Sequence, residues 1–214
     1  ERYTMEPYIK IENLSKKIKG TAVLDNINME FFKGNVYGIR GINGSGKTML
    51  FRAICGLINP TEGQITIDKK ILHKDVSFPE SIGVLIENPG FLPSYTGRYN
   101  LKLLADIKNI INYEKIDETL NLVGLDCNDK RKYKQYSLGM KQKLGIAQAL
   151  MEDPDLILLD EPTNALDEKS VENILSIIEK EKAKDKLILI ASHDKLILEQ
   201  ICDEIINIEN GRII

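Results

Sequence analysis

The chain is predicted to be α/β, with a mostly parallel core sheet, an N-terminal antiparallel β-subdomain and an inserted α-helical subdomain. Three observations carry this. SIGVLI, DLILLD, KLILIAS and EIINI are continuous apolar runs, the pattern of strands buried on both faces and paired in parallel. YIKIENL, AVLDNINMEFF and GQITID instead alternate apolar and polar residues between Gly, Pro and Lys turn signals, the pattern of half-buried antiparallel strands. From about Ser94 to Tyr136 strand runs are absent, and apolar residues recur at helical spacing, as in Leu101, Leu104 and Ala105 or Ile116, Leu120 and Val123.

In chain order, Tyr8 to Leu14 and Ala22 to Phe32 form the first two strands, and Val36 to Arg40 reads as a short buried strand. Thr48 to Cys55 carries Leu50, Phe51 and Ile54 on one helical face. Gly63 to Asp68 returns to alternation after Asn59-Pro60-Thr61, and Lys69-Lys70 reads as a turn. After the helical segment, Met140, Leu144, Ala147 and Met151 share a helix face, as do Val171, Ile174, Leu175 and Ile178.

Between Arg40 and the first helix lies GINGSGKT, Gly41 to Thr48, which fits G-x-x-x-x-G-K-[ST]. In that pattern, glycines let backbone N–H groups wrap a phosphate chain while a lysine and a hydroxyl reach the terminal phosphate and its magnesium. Strand, glycine loop and helix occur in that order, which sets an anion at a helix N-terminus. Ligands of open α/β sheets sit beyond the C-terminal strand ends. Those ends deliver this loop together with Glu87, Asp160, Glu161 and His193. Asp160 ends an apolar strand and can face a magnesium ion shared with Thr48, while Glu161 can orient or deprotonate a water. The alternative for both carboxylates is a plain strand end. His73 lies in a polar turn and reads as solvated.

With 214 residues, 43% of them hydrophobic, the chain can bury one α/β core plus a small subdomain. The net charge is −3, from 29 basic and 32 acidic residues. No basic footprint marks a nucleic-acid partner, which argues against a DNA-repair role. No apolar run has bilayer length, and ERYTMEPYIK carries neither a signal-peptide core nor an amphipathic arginine pattern, so a cytoplasmic location is expected. Met5 would make a natural start, leaving Glu1 to Thr4 as a remnant ahead of it. Cys55, Cys127 and Cys202 are odd in number, widely spaced and set among apolar residues. They read as reduced thiols without chemistry.

GINGSGKT, YSLGMKQKL (Tyr136 to Leu144), DLILLDEP, NALD (Asn164 to Asp167) and ASHD (Ala191 to Asp194), in this order, resemble the motif set of ABC-type ATPases, a branch of the P-loop NTPases. The resemblance covers residues 5–214 and implies a nucleotide-binding domain that hydrolyses ATP with Mg2+. It implies that Gly41, Ile42, Asn43, Gly44, Ser45, Gly46, Lys47 and Thr48 hold the ATP phosphates, with Lys47 on the β- and γ-phosphates. Thr48, Asp160 and Glu87 would hold the magnesium. Glu161 would be the catalytic base and His193 the switch histidine. Ser137 and Gly139, at a helix N-terminus, would contact ATP held by a second nucleotide-binding domain, a homodimer being the favoured arrangement, with Asp167 across that interface. The residue-level alternative for Asp167 is a helix N-cap. Separate transmembrane permease subunits would dock near Glu87 to Tyr99, leaving the chain peripheral on the inner face of the cell membrane.

Three departures stand out. Glu87, in IGVLIENPGF, stands where most members carry glutamine. Leu138 and Met140 replace the first glycine and the glutamine of the common signature. Ile18 occupies the position of an adenine-stacking aromatic, which leaves ATP against GTP selectivity open. Glu87 with YSLGMKQKL resembles the bacitracin-efflux and lantibiotic-immunity branch, which implies export of antimicrobial peptides. The competing reading is a soluble ABC-type switch acting on ribosomes or DNA. Ribosomal types usually carry two such domains and DNA-repair types long coiled coils, and neither feature is seen here.

Overall fold

The computed structural model describes residues 6–87 and 89–214. Glu1 to Met5, and Asn88 of the IENPGF segment, lie outside the described residues.

The apolar runs form parallel strands; Val36–Arg40, Leu156–Asp160 and Leu187–Ser192 at the centre are buried on both sides, while the runs at SIGVLI and EIINI, nearer the sheet edges, bury mainly alternate residues. β3 (Val36–Arg40), β6 (Ile82–Leu85), β7 (Leu156–Asp160), β8 (Leu187–Ser192) and β9 (Glu204–Glu209) belong to one six-stranded sheet of order β10-β9-β3-β8-β7-β6, closed at one edge by the short antiparallel β10 (Arg212–Ile213). The alternating segments β1 (Ile9–Ile18), β2 (Thr21–Phe31) and β4 (Glu62–Ile67), with β5 (Lys70–Ile71), make an antiparallel sheet of order β2-β1-β4-β5. The expected turn at Lys69-Lys70 lies one residue earlier. Asp68 and Lys69 both have positive φ, 46° and 66°, which suits a tight hairpin whose twist matches its strands. Lys70 already belongs to β5.

Helix α1 (Lys47–Ile54) lies between the two sheets. Its Leu50, Phe51 and Ile54 are fully buried in one core with Ile9, Ile11 and Phe31 of the antiparallel sheet and with Leu156, Leu158, Leu187 and Leu189 of the parallel sheet. The intervening residues Ile157, Leu159, Ile188 and Ile190 point the other way. They pack in a second core with α4 (Leu138–Leu150) and α5 (Glu168–Lys182). The inserted segment folds as α2 (Gly97–Lys108) and α3 (Tyr113–Leu122), followed by a 3-10 turn at Tyr133–Gln135. Its Leu101, Ile116, Leu120 and Val123 join that second core. α6 (Lys195–Ile201) completes the helices.

All three cysteines are free. Burial pushes the thiols of Cys55 and Cys202 up to about 12, so neither is a nucleophile near neutral pH. Among the described residues no helix is long and apolar enough to cross a membrane.

Helix α4 approaches the parallel sheet closely at Gly83 of β6, where an added Cβ would stand 1.7 Å from the Ala149 carbonyl oxygen. That atom is backbone and cannot rotate away. Gly83→Ala is expected to destabilise the protein by about 3 kcal/mol through forced separation of α4 from β6, measured by urea denaturation. A change under about 1 kcal/mol would mean that this packing is softer than the geometry indicates.

Candidate functional site

The register of the parallel ladder sets the site. Leu85 pairs with Leu159, Asp160 with Ala191, and Ser192 with Arg40. Four strands therefore end at one level, and the loops that follow Leu85, Arg40, Asp160 and Ser192 share one end of the sheet.

After Arg40 the chain turns through Gly41 to Gly46 into α1. Gly44 and Gly46 have φ of 82° and 115°, left-handed values that L side chains rarely adopt. Gly41 has no room for a Cβ, which would lie 2.3 Å from Ser45 Oγ and 2.5 Å from the Ile208 carbonyl oxygen. Gly46 is the N-cap of α1 and supplies no side-chain acceptor, so the first N–H groups of the helix are left for another acceptor. Lys47 is only 5% exposed. Its Nζ donates to the carbonyls of Gly41 (2.6 Å) and Ile42 (3.2 Å) and lies 3.8 Å from the Glu161 carboxylate. Ser45 Oγ is the one buried side-chain polar atom without a hydrogen-bond partner among the described residues. Leaving such a group unpaired costs about 1–3 kcal/mol. A buried ammonium, an orphaned hydroxyl and uncapped helix N–H groups together form a donor set fitted to an anion.

Thr48 Oγ1 donates to Asp160 Oδ2 at 2.7 Å, joining the glycine loop to the end of β7 as expected. Burial raises the Asp160 carboxyl above its ordinary range; the Thr48 hydroxyl opposes this, and the charge of Glu161 adds to it. Glu161 follows in a left-handed conformation, φ 48°. Its carboxylate accepts from Ser192 Oγ (2.9 Å) and the His193 backbone N–H (3.0 Å), and lies 2.8 Å from His193 Nδ1. Its main chain is held as well: its N–H donates to the Ala191 carbonyl at 2.8 Å, and its carbonyl accepts from Gln142 Nε2 at 2.8 Å. His193 thus meets Glu161, as the strand ends predicted. His73 is exposed in a turn with φ 64°.

Glu87, with φ 54°, pairs with Arg52 Nη2 of α1 at 2.8 Å, and not with Thr48 or Asp160. Ser137 is the N-cap of α4, its Oγ accepting from the Met140 N–H at 3.2 Å, and Leu138 is 73% exposed. An added Cβ on Gly139 would sit 2.8 Å from the Ala165 carbonyl, so α4 begins directly against the NALD loop. Asp167 caps α5, with Oδ1 accepting from the Ser170 N–H at 2.8 Å; that bond holds its carboxyl below the usual range. The N-cap reading of Asp167 is correct within one chain.

A cavity of about 710 Å³ joins these groups. Lys47, Thr48, Glu87, Asp160 and Glu161 line one part of it, and Thr21, Ala22, Val23, Asn210 and Gly211 another. Ile18, expected to meet the base, is 42% exposed at the end of β1 and is not among the lining residues; that wall belongs to β2 and to the β9–β10 turn. Gly211 donates its N–H to the Ser45 carbonyl at 2.8 Å, so the C-terminal hairpin braces the glycine loop. Sequence reasoning missed Gln142, Ser192, Arg52 and Gly211 as site residues. Ser192 could have been inferred from its neighbour His193. Gly211 carries no local signal, since its contact spans most of the chain.

A family model described as ABC transporter matches residues 24–164, more than half of the chain. An uncharacterized ABC transporter ATP-binding protein of Bacillus subtilis (strain 168) is 51% identical over 205 residues, covering 96% of this chain and 94% of the relative. The bacitracin transport ATP-binding protein of Enterococcus faecalis is 37% identical, covering 98% of this chain and 69% of the relative. The lantibiotic transport ATP-binding protein of Streptococcus pyogenes is 38% identical, with coverages of 96% and 89%. Among solved structures, an ATP-binding cassette in a dimeric post-hydrolysis state bound to ADP and Pi superimposes with a TM-score of 0.86 at 26% identity, covering 96% of each chain. With its motifs gathered at one sheet end and relatives this close along its whole length, the chain belongs to the ABC transporter ATP-binding family and is an ATPase subunit.

Proposed function

We propose that this ATPase works as a magnesium-dependent, ATP-sandwiched homodimer that drives a separate membrane permease exporting antimicrobial peptides. The observation that carries the site reading is the 2.7 Å contact between Thr48 and Asp160 beside the buried Lys47. Lys47 takes the β- and γ-phosphates, and the N–H groups from Gly41 to Thr48 wrap them. Thr48 and Asp160 hold magnesium, with Glu87 as a further carboxylate once it leaves Arg52. A hydroxyl and one or two carboxylates suit an ion that keeps its remaining positions for water and phosphate oxygens. When bound, magnesium neutralises charge developing on the phosphate oxygens. Glu161 accepts the proton of the attacking water, while Ser192 and His193 hold its carboxylate in place. Ser137 and Gly139, at the α4 N-terminus, close over ATP held by a second copy, and Asp167 lies at that junction.

Docking of the permease near Glu87 to Tyr99 is supported by an apolar surface there, with Leu92, Tyr95 and Tyr99 all more than 40% exposed. The subunit then lies on the inner face of the membrane, and the net charge of −3 offers nothing to nucleic acid. The peptide substrate rests on the bacitracin and lantibiotic relatives. Disrupting the gene should raise the host's sensitivity to such peptides in growth assays; unchanged sensitivity would remove that substrate class.

The dimer is tested with Glu161→Gln by light scattering. A dimer formed only with ATP and magnesium is expected, because the variant binds ATP without turning it over. ATP binding with no change in mass would exclude a homodimer. Asp160 offers an independent test. A carboxyl whose folded pKa is raised binds its proton more tightly in the folded state, so stability falls as pH rises from its ordinary 3.8 through the raised value. Without nucleotide or metal, Asp160→Asn should therefore raise the urea midpoint at pH 7.5, with the gain shrinking as pH is lowered through that interval, while magnesium-dependent hydrolysis is lost. A lower midpoint at pH 7.5 would contradict the burial cost assigned to Asp160.

A further inference from the structure

Helix α4 touches the loops that follow two of the site's strands, β6 and β7. An added Cβ on Gly145 would lie 2.7 Å from Leu85 and 2.8 Å from Pro89, on either side of Glu87, and one on Gly139 would lie 2.8 Å from the Ala165 carbonyl. Between them, Gln142 Nε2 donates to the Glu161 carbonyl at 2.8 Å. Among the described residues this is the one side-chain hydrogen bond from α4 to the segment that carries Glu161. Gln142 is half-buried, so water competes for this bond only in part.

The Glu161 peptide needs such support. A non-glycine residue at φ 48° is strained and persists only where neighbours over-determine it. Three bonds do so here: the Glu161 N–H to Ala191 (2.8 Å), and the Glu161 carbonyl from Gln142 (2.8 Å) and from the Asn164 N–H (3.2 Å). The first anchors Glu161 to β8 and the last closes its own turn. Among these bonds, Gln142 alone connects it to the helix that Ser137 caps and Leu138 begins.

We infer that Gln142 is a positioning residue, tying the seating of α4 to the orientation of Glu161 within the same subunit. Whatever displaces the α4 N-terminus also turns the Glu161 peptide, and with it the carboxylate that Ser192 and His193 hold. This inference rests on the proposed role of Glu161 as the base, and it assigns to Gln142 the link by which closure of α4 permits hydrolysis.

The test uses Gln142→Leu, which keeps the volume and removes the donor, in the full chain with magnesium and ATP. Loss of one hydrogen bond that orients the base should lower kcat about tenfold with KM changed less than about twofold. Gln142→Arg, which restores an N–H donor, should recover part of the loss. In the nucleotide-free protein, hydrogen–deuterium exchange of the Asp160–Asn164 peptide should be faster in Gln142→Leu than in wild type. The ATP-dependent dimer of Glu161→Gln should survive in the double variant Gln142→Leu/Glu161→Gln, since α4 still closes. A Gln142→Leu enzyme with wild-type kcat and exchange would overturn the inference. So would loss of kcat together with the dimer, which would make Gln142 a support of α4 alone. Glu161→Gln run in parallel separates the two levels: if it still hydrolyses ATP, the base assignment fails first; if it is inactive while Gln142→Leu is fully active, only the tether fails.

Discussion

Parallel strands buried on both faces can pair only in a register that keeps each apolar run inside, and this constraint governs the rest of the molecule. A slip of one residue would exchange Leu156 and Leu158, which face α1 and the antiparallel sheet, for Ile157 and Leu159, which face α4 and α5. It would also move Asp160 and Glu161 relative to the glycine loop. The register that satisfies both cores is the one that lines up Arg40, Leu85, Asp160 and Ser192 at one end. Function at that end is thus a consequence of burial elsewhere.

The polar cost of the site is concentrated at one end of the parallel sheet. Lys47 is buried against two carbonyls, Asp160 is desolvated beside Thr48, and Ser45 Oγ goes unpaired. Each feature carries a desolvation cost. An anion held at the glycine loop would meet both Lys47 and Ser45 Oγ. A second buried charge, Lys186, shows the ordinary solution: it is 4% exposed and pairs with Glu181 and Asp153, tying the start of β8 to the end of α5 and to the α4–β7 loop. That group is satisfied within the fold; Ser45 Oγ of the glycine loop is not.

Helix α4 lets the two halves of the site communicate. Glycines at 83, 139 and 145 bring it against β6, the NALD loop and the Leu85–Pro89 corner at distances no side chain would allow. Close approach of this kind transmits displacement in place of absorbing it. It also gives the signature segment a role within its own chain: Leu138 and Met140 depart from the common pattern, yet Ser137 still caps the helix and Gly139 still allows contact with Ala165.

Much of this was legible in the residues themselves. Apolar runs against alternating runs separated the parallel from the antiparallel sheet, because the number of buried faces is a local property of sequence. GINGSGKT marked a phosphate loop because its glycines stand where the chain needs φ of 82° and 115°, values that other residues rarely adopt. The order of motifs named the family. Tertiary structure alone decided that Glu87 rests on Arg52, that the C-terminal Gly211 braces the glycine loop in place of any contact from Ile18, and that Gln142 holds the Glu161 carbonyl. Those contacts join residues far apart in the chain through side-chain reach and close backbone approach. No local periodicity encodes them, since they exist only once both cores have packed.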